Sequence, residues 1–411
     1  MSEALRWIRL VFVDVFGGVH AVQLPADRFE LAVQRGAPFD GSALEGRARH
    51  LEADMLLRPD PATLLHLGEG RARAACTVLL PDGTAWPGDP RTALASVLDD
   101  VGELGEAYRA AAELEFYLLN GSQPVDRGGY FADFEGPGLA VTRAAAERLA
   151  SFGIEVISAH LEAGPGQYEL DLAPMAPLVL ADALILAKQL IREAAAEAGL
   201  RATFMARPFG DQPGSGLHLH QEVEGRLFDK RGGLDAEGHA FVGGQMAHGR
   251  GLTALAAPNV NSYKRLHSGP EAPTAAVWAH SNRAAMIRVG TSVDRQPAVE
   301  FRLADPAANP YLLVAGLLVA GAEGLESGAD PGPPFEEDLG GFDPAAATSM
   351  QLTPLPRELD EALDALEADD ALVDAFDSRL LQRLVDGRRA EAEAYRAHVT
   401  SWEVERFVDE A

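Results

Sequence analysis

The run Ala111-Ala112-Glu113-Leu114-Glu115-Phe116-Tyr117-Leu118-Leu119 places two carboxylates two residues apart in an otherwise apolar stretch. Its length and composition predict a strand, in which residues i and i+2 share a face. Glu113 and Glu115 then project to one side, with Leu114 and Phe116 behind them. The pattern recurs. Leu217–Val223 presents His218, His220 and Glu222 on one face, and Val299–Leu303 presents Glu300 and Arg302. Glu162 and Glu169 flank the turn Gly164-Pro165-Gly166, so a hairpin sets them close together. Crowded carboxylates repel and raise one another's pKa, and a divalent cation removes that conflict. Five carboxylates and one imidazole suit a hard ion such as Mg²⁺ or Mn²⁺ better than Zn²⁺.

Outward from these strands the chain divides in two. Near the N-terminus, Ile8 to Val15 and Val19 to Leu24 read as a hairpin around Gly17-Gly18, and Ala75 to Leu80 as a further strand. The Pro-, Gly- and Asp-rich stretch Asp82 to Pro90 reads as a boundary, giving an N-terminal domain over 1–88 and a catalytic domain over 89–411. Thr92 is the expected N-cap of the next helix. Beyond it, helices over Val141–Phe152 and Leu178–Ala198 alternate with strands at Thr203–Ala206, Leu217–Val223, Ala285–Val289 and Val299–Leu303. Gly328 to Pro344 reads as a surface loop, and the chain after Pro356 as helical.

Composition narrows the function classes. The 411 residues carry a formal net charge of −27, and only Lys188, Lys230 and Lys264 among the basic residues are lysine. That excess of acid argues against sequence-independent nucleic-acid or anionic-membrane binding. One cysteine, Cys76, excludes an intramolecular disulfide framework. The longest apolar run, Leu312 to Ala322, is about half of what a membrane span needs. A cytoplasmic protein is expected. Arg265, Arg283, Arg288 and Arg302 form a set suited to a bidentate grip on carboxylate or phosphate. Metal carboxylates beside an arginine clamp are what phosphoryl transfer from ATP requires. No Gly-x-x-x-x-Gly-Lys-Ser/Thr loop is present.

Taken together, Phe39-Asp40-Gly41-Ser42, Gly128-Gly129-Tyr130-Phe131, Gly166-Gln167-Tyr168-Glu169, Gly214-Ser215-Gly216-Leu217-His218, Asn261-Ser262-Tyr263-Lys264-Arg265-Leu266 and Glu300-Phe301-Arg302 followed by Asn309-Pro310-Tyr311 resemble the glutamine synthetase family, class I type, over nearly the whole chain. The resemblance implies an α+β fold: an N-terminal β-grasp domain plus a catalytic domain of antiparallel half-barrel sheet with flanking helices. It implies a homo-oligomer of hexameric rings, commonly a dodecamer, with active sites at subunit interfaces. It implies ligation of one metal by Glu115, Glu162 and Glu169, and of a second by Glu113, His218 and Glu300. By the same resemblance Arg265, Arg302, Gly214 and Glu115 bind the amino-acid substrate, and His220, Arg288 and Arg295 the nucleotide. Arg283 holds the moving phosphate, Glu271 is the flap carboxylate, and Asp40 with Tyr130 and Glu162 handles the incoming ammonium. The implied reaction joins glutamate to ammonia or a primary amine through γ-glutamyl phosphate, with ATP as co-substrate.

Three departures fall on the substrate side. Pro213 stands where the family's glutamine-forming members place an Asn, with Gln212 as the candidate replacement. Ala43 replaces a serine of the ammonium pocket, and Ala298 replaces an arginine at the nucleotide. Pro333 to Asp338 has no match to the tyrosine-bearing adenylylation segment. Related members use polyamines or ethanolamine in place of ammonia. The competing expectation is a catalytically weak nucleotide-binding relative with a regulatory or assembly role.

Overall fold

A computed structural model describes residues 4–41, 44, 54–133, 135–267, 271–292, 294–337, 350 and 352–410. Ser42, Ala43 and the end of the acidic loop at 338–344 lie outside the described residues.

The N-terminal sheet has six strands: β1 (Trp7–Val13), β2 (Val19–Pro25), β3 (Ala37–Phe39), β4 (Met55–Pro59), β5 (Leu65–Gly68) and β6 (Arg71–Leu79). Its order is β2-β1-β6-β4-β3, with β5 on β6, and β1 runs parallel to β6 at the centre. Alternation along β1 explains its place. Ile8, Leu10 and Phe12 enter the N-terminal core, whereas Val13 and Val15 join the core of the other domain. From Leu10 to Val13 the strand is apolar and buried on both faces, whereas Trp7 at its start is exposed. Asp14 closes the expected hairpin by accepting from the Phe16 and Gly18 N–H groups.

The larger sheet has nine strands: β7 (Tyr108–Asn120), β8 (Gln123–Pro124), β9 (Val156–Leu161), β10 (Gln167–Met175), β11 (Arg201–Thr203), β12 (Leu217–Val223), β13 (Trp278–Ala279), β14 (Ile287–Thr291) and β15 (Pro297–Phe301). The order is β13-β14-β15-β12-β7-β10-β9, with β8 and β11 also on β7. Every pairing is antiparallel except β13 with β14. The mixed α+β architecture, a β-grasp domain beside a half-barrel sheet with flanking helices, is as expected.

Helices Pro137–Ser151 and Pro177–Glu197 cover the apolar back of this sheet, where Leu114, Phe116 and Leu170 are fully buried. The apolar run at 312–322 belongs to the buried helix Pro310–Ser327. It lies tightly on helix Ala236–Ala247: a Cβ on Gly244 would sit 2.1 Å from the Ala320 carbonyl oxygen. No helix among the described residues is long and apolar enough to cross a membrane.

Two local expectations need correction. Asp89, not Thr92, caps helix Pro90–Val101: Pro90 starts the helix and Asp89 before it is extended, accepting from the Arg91 N–H. Thr92 falls inside the first turn, and its hydroxyl donates to Asp89. The expected strand at 203–206 is displaced to Arg201–Thr203, because only those residues pair with β7.

Candidate active site

Register places the ionisable residues in rows across the concave sheet. On β7 and β12, Glu113 stands opposite His218; on β12 and β15, His220 stands opposite Glu300. On β7 and β10, Glu115 stands opposite Glu169, and Glu113 opposite Asp171. On β9, His160 stands opposite Glu169. Adjacent strands lie about 4.8 Å apart, so each pair projects its polar ends into a common space.

Glu113, His218 and Glu300 converge, each offering a ligand atom within 4.8 Å of the others. His218 Nδ1 lies 2.9 Å from Glu113, and His220 Nε2 lies 2.8 Å from its other oxygen. His220 is thus buried against Glu113. Arg288 Nε is 2.5 Å from Glu300, whose second oxygen accepts from Arg302. Burial pushes the Glu113 carboxyl up, yet hydrogen bonds from His218 and His220 hold it well below its ordinary value. Glu300 is likewise held low, burial being outweighed by Arg302 and both histidines.

Glu162 and Glu169 converge with His160, whose Nε2 is 3.2 Å from Glu169. Glu115 faces them from β7. Its Oε2 accepts from the Gln167 amide at 3.0 Å and from the Gly216 N–H at 2.9 Å. Burial, then the Glu115 charge, pushes Glu162 up to about 8 and Glu169 up to about 12. No guanidinium pairs with these carboxylates among the described residues, and the donor set fits a hard divalent cation. His160 was not foreseen; it lies two residues before Glu162, so the same-face rule could have found it. Asp171, two residues after Glu169, completes a third group with Glu113 and Glu169 and was missed in the same way.

Beside these clusters is a cavity of about 420 Å³ lined by Glu115, Glu162, Gly214, Arg265, Glu271 and Arg302. Gln212 and Pro213 line it as well. The Pro213 carbonyl accepts from the Tyr117 hydroxyl at 2.8 Å, which fixes the loop. Gly216 fits because a Cβ there would meet His218 Nε2 at 2.5 Å. Arg265 is buried and donates to the Leu303 and Arg302 carbonyls at 2.8 and 3.1 Å. Arg302 donates to the Arg283 carbonyl at 2.9 Å, and the Arg283 side chain bonds the Tyr130 hydroxyl. Arg295 occupies a left-handed position, φ 70°, in the turn joining β14 to β15. Ala298 is fully buried on β15 opposite Gly290. Asp40 is exposed just after β3, at the edge of the N-terminal sheet, and does not line this cavity.

The glutamine synthetase β-grasp domain matches residues 4–81, and the glutamine synthetase catalytic domain matches residues 87–407. The glutamine synthetase of Mycobacterium tuberculosis strain H37Rv is 37% identical over 428 residues, spanning 98% of this chain and 96% of the relative. That of Halobacterium salinarum is 34% identical over 434 residues, spanning 99% and 94%. Among solved structures, an ADP complex of GmaS superposes with a TM-score of 0.89 at 30% identity, covering 99% of this chain and 97% of the other. Plasmodium falciparum glutamine synthetase shares the fold at 21% identity, with a TM-score of 0.86 over 98% and 96% of the two chains. Matched in both domains and over almost its full length, the chain belongs to the glutamine synthetase family and is an ATP-dependent glutamate–amine ligase.

Proposed function

We propose that the chain joins the γ-carboxylate of glutamate to ammonia or a primary amine through γ-glutamyl phosphate. The observation that carries this reading is the single cavity in which Arg265, Arg302 and Glu271 meet the carboxylates Glu115 and Glu162 beside His218.

The chemistry sets the requirements. A carboxylate is a poor electrophile because its leaving group would be oxide. Attack of the glutamate γ-carboxylate on the ATP γ-phosphorus breaks the bond to ADP and leaves an acyl phosphate. The amine nitrogen then attacks the acyl carbon, loses a proton, and the bond to phosphate breaks. Mg²⁺ or Mn²⁺ held by Glu113, His218 and Glu300 and, as the family resemblance implies, by Glu115 with Glu162 and Glu169, which converge with His160, would supply neutralisation of phosphate charge at the reacting end.

The chain's own groups supply the rest. Arg265 and Arg302 hold the glutamate carboxylate; backbone carbonyls fix both guanidinium groups in direction. Arg288, locked by Glu300, and Arg283 face the transferring phosphate. His220 and Arg295 serve the nucleotide, and the Gly214 backbone and Glu115 the substrate amino group, with Gln212 reaching the place of the missing Asn. Glu271 closes the cavity and keeps water from the acyl phosphate. Asp40 and Glu162, with Tyr130, take the proton from the incoming ammonium. Because Asp40 does not line its own chain's cavity, a neighbouring subunit delivers it, within hexameric rings that stack into a dodecamer. Exposed Trp402, Val404 and Phe407 on the C-terminal helix Ser401–Phe407 support such an assembly. The glutamine synthetases among the relatives favour ammonia as one acceptor.

The test is ADP release with Mg²⁺, glutamate and a panel of ammonia, methylamine, ethanolamine and polyamines. Release with at least one acceptor, lost in Arg302→Ala, is expected. Thermal stabilisation by Mg·ATP with no turnover across the panel would replace this reading with the catalytically weak nucleotide-binding relative, which the buried Ala298 favours.

A further inference from the structure

The two domains do not close fully against each other. Between the outer face of the N-terminal sheet and helix Pro177–Glu197 lies a cavity of about 330 Å³. Val11 and Val13 of β1 form one wall; Leu178, Ile185 and Leu186 of the helix form the other. Asp60, Thr63, Arg91, Asp182 and Tyr311 also line the space, and Arg73 of β6 enters it beside them.

Arg73 is 95% buried on a relative exposure of 5%, and its Nε has no hydrogen-bond partner. No hydrogen bond or salt bridge holds its guanidinium among the described residues. The nearby carboxylates are committed elsewhere. Asp182 accepts from Arg91 at 3.2 and 3.0 Å and from the Tyr311 hydroxyl at 2.6 Å, and Asp60 accepts from Arg91 at 2.9 Å. Burial lowers the Arg73 pKa, against the pull of Tyr311 and Asp182. A buried arginine without partners is costly, and such groups are normally matched by an acceptor. Removing the charge would be simpler than keeping it, so its retention at a cavity wall points to an external acceptor.

We propose that this interdomain cavity binds a small monocarboxylate with an apolar body, its carboxylate on Arg73 and its hydrocarbon part against Val11, Val13, Leu178 and Ile185. A planar guanidinium presents paired N–H donors that match a carboxylate. A single unpaired cation selects a monoanion, and the aliphatic walls exclude a polyanion such as a nucleotide. The volume is ample, since apolar cavities of about 150 Å³ already take benzene.

The probes are phenylacetate and 4-methylpentanoate, with phenylacetamide as the neutral control, added to the full-length protein. Calorimetry and thermal melting are read with glutamate saturating. Binding of either carboxylate, absent for the amide and weakened at least about tenfold in Arg73→Met, is the expected result. Ile185→Phe, which fills the cavity from the helix side, should weaken binding in the same way and serves if Arg73→Met does not fold. Equal binding of the amide, unchanged affinity in a folded Arg73→Met protein, displacement by glutamate, or no binding at millimolar probe would each overturn the proposal. The readout is binding alone, so failure here leaves the ligase reading untouched, and the converse holds.

Discussion

Two carboxylate clusters share one sheet and differ in how their charge is answered. Around Glu113 and Glu300 the protein supplies its own hydrogen-bond partners: His218, His220, Arg288 and Arg302 all lie in contact. Around Glu162 and Glu169 the basic side chain in contact among the described residues is His160, and both carboxyls are driven upward. The first cluster is organised before any ligand arrives. The second is left short of positive charge, and so its order depends on what binds. Arg288 and Arg302 answer the charge of Glu300, whereas no guanidinium among the described residues pairs with Glu162 or Glu169.

That contrast can be broken by mutation. The largest effect is expected from Glu300→Gln, which removes a metal-directed charge and the anchor of Arg288 and Arg302 together. Turnover should fall by about 10²–10³-fold or more, on the scale of losing one preorganised electrostatic group. Steady-state ADP release measures it, and a loss below tenfold would contradict the role given to this row. The next effect separates the clusters. Glu169→Gln should raise the stability of the metal-free protein, on the order of 1 kcal/mol, because it removes a carboxyl whose ionisation is penalised by burial and by the Glu115 charge. The same change should abolish most of the stabilisation by Mg²⁺, which for the native protein is about 2.7 kcal/mol at a hundredfold excess over Kd. Melting with and without EDTA reads both. A smaller effect belongs to His160→Gln: about tenfold weaker Mg²⁺ binding if the imidazole ligates or orients Glu169.

The same contrast explains what could be read from sequence. Leu217–Val223 is a strand over those very residues, since its alternation is strict and both faces are covered. The Glu113, His218 and Glu300 group was legible because each residue lies on such a strand. His160 and Asp171 lie two residues outside Glu162 and Glu169, so the same-face rule reaches them only when it is extended beyond the turn that joins those two carboxylates. Other features depend on distant chain segments. Asn309 donates to the Asp14 and Val15 carbonyls across the domain junction, and Arg73 acquires its cavity from helix Pro177–Glu197. Nothing local in either sequence neighbourhood records such a partner. The helix cap at Asp89 was a local feature, and there the proline rule outweighed the preference for threonine.

The least forceful test uses pH. In the metal-free protein Glu162 and Glu169 titrate above the ordinary carboxylate value of 4.5, near 8 and near 12. The folded state therefore binds more protons than the unfolded chain once pH exceeds about 4.5, so stability falls as pH rises. The fall belongs to the interval from 4.5 to about 8 for Glu162, and continues beyond it for Glu169. Glu113 and Glu300 have the opposite sign: their folded values are lowered, so their contribution is present above the unfolded carboxylate value and is lost on acidification. In EDTA the melting temperature should drop by about 1 °C between pH 6 and pH 8.5, for a change on the order of 1 kcal/mol in a chain of this size. Glu169→Gln should flatten that slope, while saturating Mg²⁺ should remove it, because the cation stabilises both carboxylates in their ionised form. An EDTA profile that is flat or rises over this interval would mean that the second cluster is not short of positive charge, and the distinction between the two clusters would fail.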